Sequence, residues 1–74
     1  MAYDYSKLLG RIIEKFGTQA KFAIAIGLSE RTLSLKLNGQ RGFKQSEISK
    51  TCNLLEIEET DIPAYFFVIK VQLN

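Results

Sequence analysis

Arg31, Ser34, Leu35 and Asn38 lie in the segment SERTLSLKLNG, residues 29 to 39. At about 100° per residue their spacing puts them on one side of a helix whose other side holds Leu33 and Leu37. Ser29 and Glu30 fall in its first turn. These residue types recognise partners and do not break bonds. A guanidinium at Arg31 can donate to guanine O6 and N7, the Asn38 amide can meet an adenine or a phosphate, and Leu35 can meet a thymine methyl. Catalysis is not expected. The sequence has no histidine, no glycine-rich phosphate loop and no cluster with metal-ligand spacing, and a helical chain of 74 residues is not expected to hold a pocket. No cofactor or metal is implied, and the acidic run Glu58, Glu59 and Asp61 reads as a solvated helix start.

The elements that must position that face can be read from periodicity and breakers. From Asp4, a candidate N-cap, the apolar residues Tyr5, Leu8, Leu9, Ile12, Ile13 and Phe16 recur at helical spacing, which predicts an amphipathic first helix. Gly10 inside it costs about 1 kcal/mol relative to alanine, and close packing against a neighbour would account for it. Gly17 supplies a stop. Thr18 then caps a shorter second helix with Phe22, Ala23 and Ile26 buried. Gly27 comes one residue after Ile26 and two before Ser29, the N-cap of a third helix. So short a turn forces a large crossing angle, and its first residue needs a positive φ that glycine adopts without steric cost. Helix three is predicted over Glu30 to Asn38, ended by the Asn38-Gly39 pair.

The twenty residues QAKFAIAIGLSERTLSLKLN, 19 to 38, resemble the helix-turn-helix unit of phage Cro and CI repressors and the related XRE family. Gln19 stands at the first position, small Ala23 at the fifth, Gly27 at the ninth, and apolar Leu28 and Leu33 at the tenth and fifteenth. Ala23 is small where helices two and three approach most closely, and Leu28 and Leu33 anchor helix three on the core. The whole chain, with YDYSKL, FGTQ, LSERTLSLKLNG and YFF, is similar to the small Cro-position regulators of temperate phages of Gram-positive hosts. That group includes the modulator-of-repression type of lactic-acid-bacteria phages. The resemblance implies a role in the lysis-lysogeny switch, opposing the CI repressor either by occupying operator DNA or by binding the repressor itself.

The expected fold is a single all-α domain over 1–74. It has four to five helices, a helix-turn-helix unit at 19–38 and a short extended C-terminal tail. Ile48, Thr51, Cys52 and Leu55 share one face of a fourth helix over about Gln45 to Leu55. Two residues there depart from the repressor pattern. Lys44 stands where a serine or threonine cap is expected, and Glu56 where a helix-ending glycine is usual. Pro63 can open a last helical turn through Tyr65, with Phe66 closing the core. Phe67, Ile69, Val71 and Leu73 alternate with Val68, Lys70 and Gln72, which is a strand signal with no partner strand in the sequence. The segment 67–73 must therefore dock on its own domain or dimerise, and monomer and weak dimer both stay open. Cys52 reads as a small buried residue in a reducing compartment. With no run of 18 apolar residues and no signal-peptide pattern, a soluble cytoplasmic protein of the bacterial host cell is expected, with no membrane contact.

Charge divides unevenly along the chain. The net charge is +2, but residues 1–44 hold Lys7, Arg11, Lys15, Lys21, Arg31, Lys36, Arg41 and Lys44 against Asp4, Glu14 and Glu30, a balance of +5. Residues 45–74 hold Lys50 and Lys70 against Glu47, Glu56, Glu58, Glu59 and Asp61, a balance of −3. The first half suits a polyanion or an acidic protein surface.

By resemblance to Cro-like repressors, Ser29, Glu30, Arg31, Ser34, Leu35 and Asn38 are the base-contacting face. Gln19, with the amides at the start of helix two, would hold a phosphate, and Lys21, Lys36, Arg41 and Lys44 are further phosphate candidates. Three residues fit DNA poorly. Glu30 brings negative charge near the phosphates unless it accepts from cytosine N4. Leu35 is placed opposite the core direction of helix three, and Ile24 opposite that of helix two. Two large apolar groups beside Arg31 and Glu30 suit the centre of a protein interface with a charged rim. The expected partner is accordingly the N-terminal domain of the phage CI repressor, with operator DNA as the alternative on the same face.

Overall fold

Leu8 and Ile12 of the first helix, Phe22 of the second, Leu33 of the third, Leu55 of the fourth and Phe66 of the last meet in one core, each at most 1% exposed. The computed structural model describes residues 3–71 of the chain. Five α-helices follow in order: α1 (Ser6–Phe16), α2 (Gln19–Ile26), α3 (Glu30–Leu37), α4 (Gln45–Leu55) and α5 (Ile62–Phe66), the last preceded by a 3-10 turn over Glu59–Asp61. The all-α repressor-like expectation holds. Among the described residues no helix is long and apolar enough to cross a membrane.

The helix starts follow the chemistry of their first residues. Asp4 works from one residue further out than a simple N-cap. Tyr5 takes the cap position, and the Asp4 carboxylate accepts from Ser6 N–H at 2.8 Å and Ser6 Oγ–H at 2.5 Å. Those bonds hold the Asp4 carboxyl below the usual range. Thr18 accepts from Lys21 N–H and Ser29 from Thr32 N–H, both at 3.1 Å, so α2 and α3 each begin on a hydroxyl cap. At α4, where Lys44 has no hydroxyl to offer, the Glu47 carboxylate reaches back to accept from Lys44 N–H at 2.8 Å. Pro63 sits in the first turn of α5, which runs one residue past Tyr65 to Phe66.

Several packing expectations are corrected. Leu9 and Ile13 are 37% and 44% exposed, because the apolar arc of α1 is wider than the core it covers, and Leu8 and Ile12 take the inside. Gly10 packs against nothing, since a Cβ there would meet no atom within 4 Å. Helix three ends at Leu37, with Asn38 as its cap. Cys52 is half-buried, and that partial burial pushes its thiol pKa up.

Glu56 adopts φ +54, the only positive φ of a non-glycine residue among those described. Its left-handed conformation costs about 1–2 kcal/mol. Side chains of α1 secure the turn. Arg11 Nε–H donates to Leu55 C=O at 3.0 Å and Lys15 pairs with the Glu56 carboxylate, while Ile57 N–H donates to Cys52 C=O at 2.9 Å.

The tail finds its partner inside the domain. Asp4 N–H donates to Val68 C=O at 2.7 Å, and Tyr3 and Ile69 form an isolated antiparallel bridge. The segment before α1 was thus the missing neighbour of the extended tail. Gln72 and Leu73, the end of the alternating pattern, lie outside the described residues.

Candidate recognition interface

The turn between α2 and α3 is what presents α3. Gly27 has φ +82, and its N–H donates to Ala23 C=O at 3.0 Å and Ile24 C=O at 3.2 Å, while Leu28 N–H also reaches Ala23 C=O at 3.0 Å. The Ala23 and Ile24 carbonyls in the last turn of α2 are thereby satisfied before the chain turns. Ala23 is 2% exposed and Leu33 fully enclosed, so the inner sides of the two helices are sealed. The Ser29 hydroxyl is occupied locally, accepting from Thr32 N–H and donating to Thr32 Oγ1 at 2.8 Å. Its part in the face is to start the helix.

The structure brings most of the sequence-predicted face together. Glu30, Arg31 and Asn38 are exposed on α3, with Ser34 half-buried between them. Gln19 comes across from the start of α2 to line one cleft with Ser34 and Asn38. That cleft, about 310 Å³, is half-open, and a second one of about 270 Å³ lies beside the loop after α3, against the expectation of no pocket. The first also takes in Asp4 from before α1, Leu9 from α1 and Lys70 from the tail. Sequence reasoning did not assign these three to the face, although Leu9 at the margin of the α1 apolar arc was the available signal.

Ile24 is 81% exposed, the largest value among the large apolar side chains described. Leu35 does not match it. It is half-buried, a correction with two local causes. A long side chain on a helix leans back over the turn before it. The chain after α3 also folds back on this residue, with Gln40 N–H and Arg41 N–H both donating to Leu35 C=O at 2.9 and 3.3 Å.

Lys36 is a second correction. It is 5% exposed and turned inward, donating from Nζ to Gly42 C=O at 2.9 Å and pairing with Glu47 Oε1 at 2.8 Å. A buried ammonium so engaged is no phosphate contact. It ties the last turn of α3 to the loop and to the start of α4. Burial pushes the Glu47 carboxyl up, but the Lys36 and Lys44 N–H bonds and both positive charges outweigh it and hold the carboxyl below its usual value.

The other cations sort themselves by pairing. Lys7 lies over the Tyr65 ring, 4.8 Å from its centroid, Arg11 pairs with Glu14, and Lys15 with Glu56. Among the described residues, Lys21, Arg31, Arg41 and Lys44 of the basic half, and Lys50 and Lys70 beyond it, are exposed and make no ion pair. The uncommitted charge of the basic half therefore lies on the helix-turn-helix unit and on the loop that follows it. Around Ile24 and α3 the surface offers an apolar projection, free cations and one free carboxylate, Glu30. Such a set can hold a complementary surface but has no group poised to attack a bond.

The family described as "Protein of unknown function (DUF739)" matches residues 1–68 of the chain. No curated protein matches. Among solved structures, the solution structure of the modulator of repression (MOR) of the temperate bacteriophage TP901-1 from Lactococcus lactis is similar over 97% of each chain, with 60% sequence identity and a TM-score of 0.80.

Proposed function

The chain belongs to the DUF739 family, and on that premise we propose that it is a phage regulator that antagonises a CI repressor by seating its helix-turn-helix face on that repressor's DNA-binding domain. The likeness to a modulator of repression supports the regulatory role. The observation that carries the mode of action is Ile24, standing 81% exposed on the outer side of α2. DNA-facing helices spend exposed positions on polar groups, because a phosphate surface gives an isoleucine nothing to desolvate against. A protein surface does, and apolar groups ringed by charge form the centre of such interfaces. Glu30 fits the same reading. A carboxylate at the start of α3 is repelled by phosphates, whereas it can pair with a basic side chain of a protein partner. Ser29 caps the helix that carries Arg31, Ser34, Leu35 and Asn38 into contact, and Gln19, Lys21, Arg41 and Lys44 form the rim.

Operator binding is the second reading, favoured by the four unpaired cations of the basic half, Lys21 and Arg31 on the helix-turn-helix unit and Arg41 and Lys44 on the loop after it. One experiment separates the two. Gel shifts on switch-region DNA are run with this protein alone, with the CI repressor alone and with both. Repressor docking gives no specific shift from this protein alone and loss or retardation of the CI complex on mixing. A specific shift by this protein alone, unchanged in Ile24→Ser, establishes operator binding instead.

A further inference from the structure

A second surface lies outside the helix-turn-helix face, where the N-terminal segment, the tail and the loop after α3 converge. Tyr3, Tyr5, Phe43, Phe66 and Phe67 wall a half-open cleft of about 270 Å³. Their rings pack edge to face in a chain, Phe66 on Phe43 at 5.4 Å, Phe43 on Tyr5 at 5.2 Å and Tyr3 on Phe67 at 5.8 Å. The inner rings belong to the core, but Tyr3 and Phe67 at the mouth are 41% and 50% exposed. Partly exposed aromatic rings around a concavity leave apolar area that a guest side chain can cover.

Two further observations point to an occupant. Gly42 lines the cleft with a φ outside the left-handed region, and a Cβ there would meet nothing within 4 Å. Neither backbone conformation nor a neighbour requires glycine, which costs conformational entropy on folding. A side chain at 42 would find open space on the lining of the cleft. Arg41 lines the same cleft, exposed and without an ion pair among the described residues, and Lys44 follows it with its charge also free. The aromatic interior selects a bulky apolar group, and the Arg41 cation on its lining, with Lys44 three residues on, selects negative charge beside it. We propose that this cleft is a docking site for a bulky apolar side chain carried on an acidic segment of a partner protein. The cleft adjoins the α2–α3 face, sharing Arg41 with its proposed rim and Tyr3 and Tyr5 with the cleft beside it, but its preference for an aromatic guest does not depend on what that face binds.

The test is an NMR titration of the uniformly ¹⁵N-labelled full chain with three capped peptides, acetyl-Glu-Phe-Glu-amide, acetyl-Glu-Ala-Glu-amide and acetyl-Lys-Phe-Lys-amide. The acidic phenylalanine peptide is expected to shift the amides of Gly39, Gly42 and Ile48 saturably. It should bind at least about tenfold tighter than the alanine peptide, since a ring is being buried. Its advantage over the lysine peptide should be about threefold, the scale of an exposed ion pair. Gly42→Leu, which adds bulk to the lining at a position with room for it, should lose the binding while keeping a dispersed spectrum. Arg41→Ala should keep the phenylalanine preference and level the acidic and basic peptides. The proposal is overturned if the three peptides act alike, if folded Gly42→Leu binds as well as the parent chain, or if the same amides shift with protein concentration alone, which would make the occupant a second copy.

Discussion

Lys36 Nζ lies 2.8 Å from Glu47 Oε1, with the two side chains only 6% and 13% exposed. The pair joins the last turn of α3 to the first turn of α4, and Glu47 also accepts from Lys44 N–H. The orientation of α3 thus depends on a nearly dry ion pair at its far end. Removing one member leaves the other charge uncompensated in a place that water barely reaches. Lys36→Met should destabilise the fold by about 2 kcal/mol or more, below the full cost of an isolated buried charge because Glu47 keeps its bond to Lys44. Urea denaturation checks it, and Lys36→Met combined with Glu47→Gln should recover part of the loss, a coupling of about 1 kcal/mol or more.

The same pair sets an acid limit. The Glu47 carboxyl titrates below its usual value of about 4.3 in the folded chain, so its ionised form binds the fold more tightly than its protonated form. A depressed pKa contributes stability that is fully present above the unfolded value and lost as pH falls through the folded one. Thermal midpoints of the parent chain should therefore hold from pH 7 to about 5 and fall below about 4.3. Glu47→Gln, less stable at pH 7, should show a shallower fall over the same window. Parallel curves for the two chains would place the acid sensitivity on other carboxylates.

The sequence shows helix starts clearly and side-chain fates less so, for a physical reason. Thr18, Ser29 and the start of α4 follow from interactions within a few residues, and local chemistry decides them. Ile24 was equally legible, since helical geometry alone puts it opposite Phe22, Ala23 and Ile26. Lys36 was not. Its burial needs a carboxylate from the next helix and a carbonyl from the loop, neither visible in the periodicity of α3. Leu35 fails similarly, because the loop that folds back on it is an irregular segment. The partner of the tail was hidden by distance along the chain, as Asp4 and Val68 meet only when α1 and α5 are packed.

Gly10 is the clearest site for added stability. It lies inside α1, and a methyl group there meets nothing within 4 Å. Gly10→Ala removes backbone freedom from the unfolded chain and should stabilise by about 0.5–1 kcal/mol. For a domain of this size that raises the thermal midpoint by about 2–8 °C, measurable by circular dichroism. No gain would mean that α1 is frayed at this position in the native ensemble.

Thr51 is fully enclosed, and its Oγ1 has no hydrogen-bond partner among the described residues. A buried hydroxyl without a partner costs about 1–3 kcal/mol, and valine has the same shape and similar helix propensity. Thr51→Val should move the urea midpoint upward by the equivalent of about 1 kcal/mol with no change in slope. A lower midpoint would show that the hydroxyl is bonded in solution.

Ile24 and Arg31 divide the two readings of the recognition face by chemistry. Ile24 is 81% exposed, so Ile24→Asp should leave the fold intact, and its effect reports on contact alone. If the face docks on a repressor, the isoleucine is buried at the interface centre and its replacement by a charge should weaken binding by about tenfold or more. Salt should matter modestly, by less than about tenfold between 50 and 200 mM, because the charges sit at the rim. If the face reads DNA, the four free cations neutralise phosphates. A slope of about 0.9 per contact then predicts a loss of about two orders of magnitude over the same salt range. Arg31→Ala should flatten that slope, while Ile24→Asp should act only through added repulsion. Fluorescence anisotropy with labelled repressor domain and with labelled operator, each across that salt range, measures both sets of values. Steep salt dependence with indifference to Ile24→Ser would sink the repressor-docking reading, since nothing else on α2 supplies the apolar centre that docking requires.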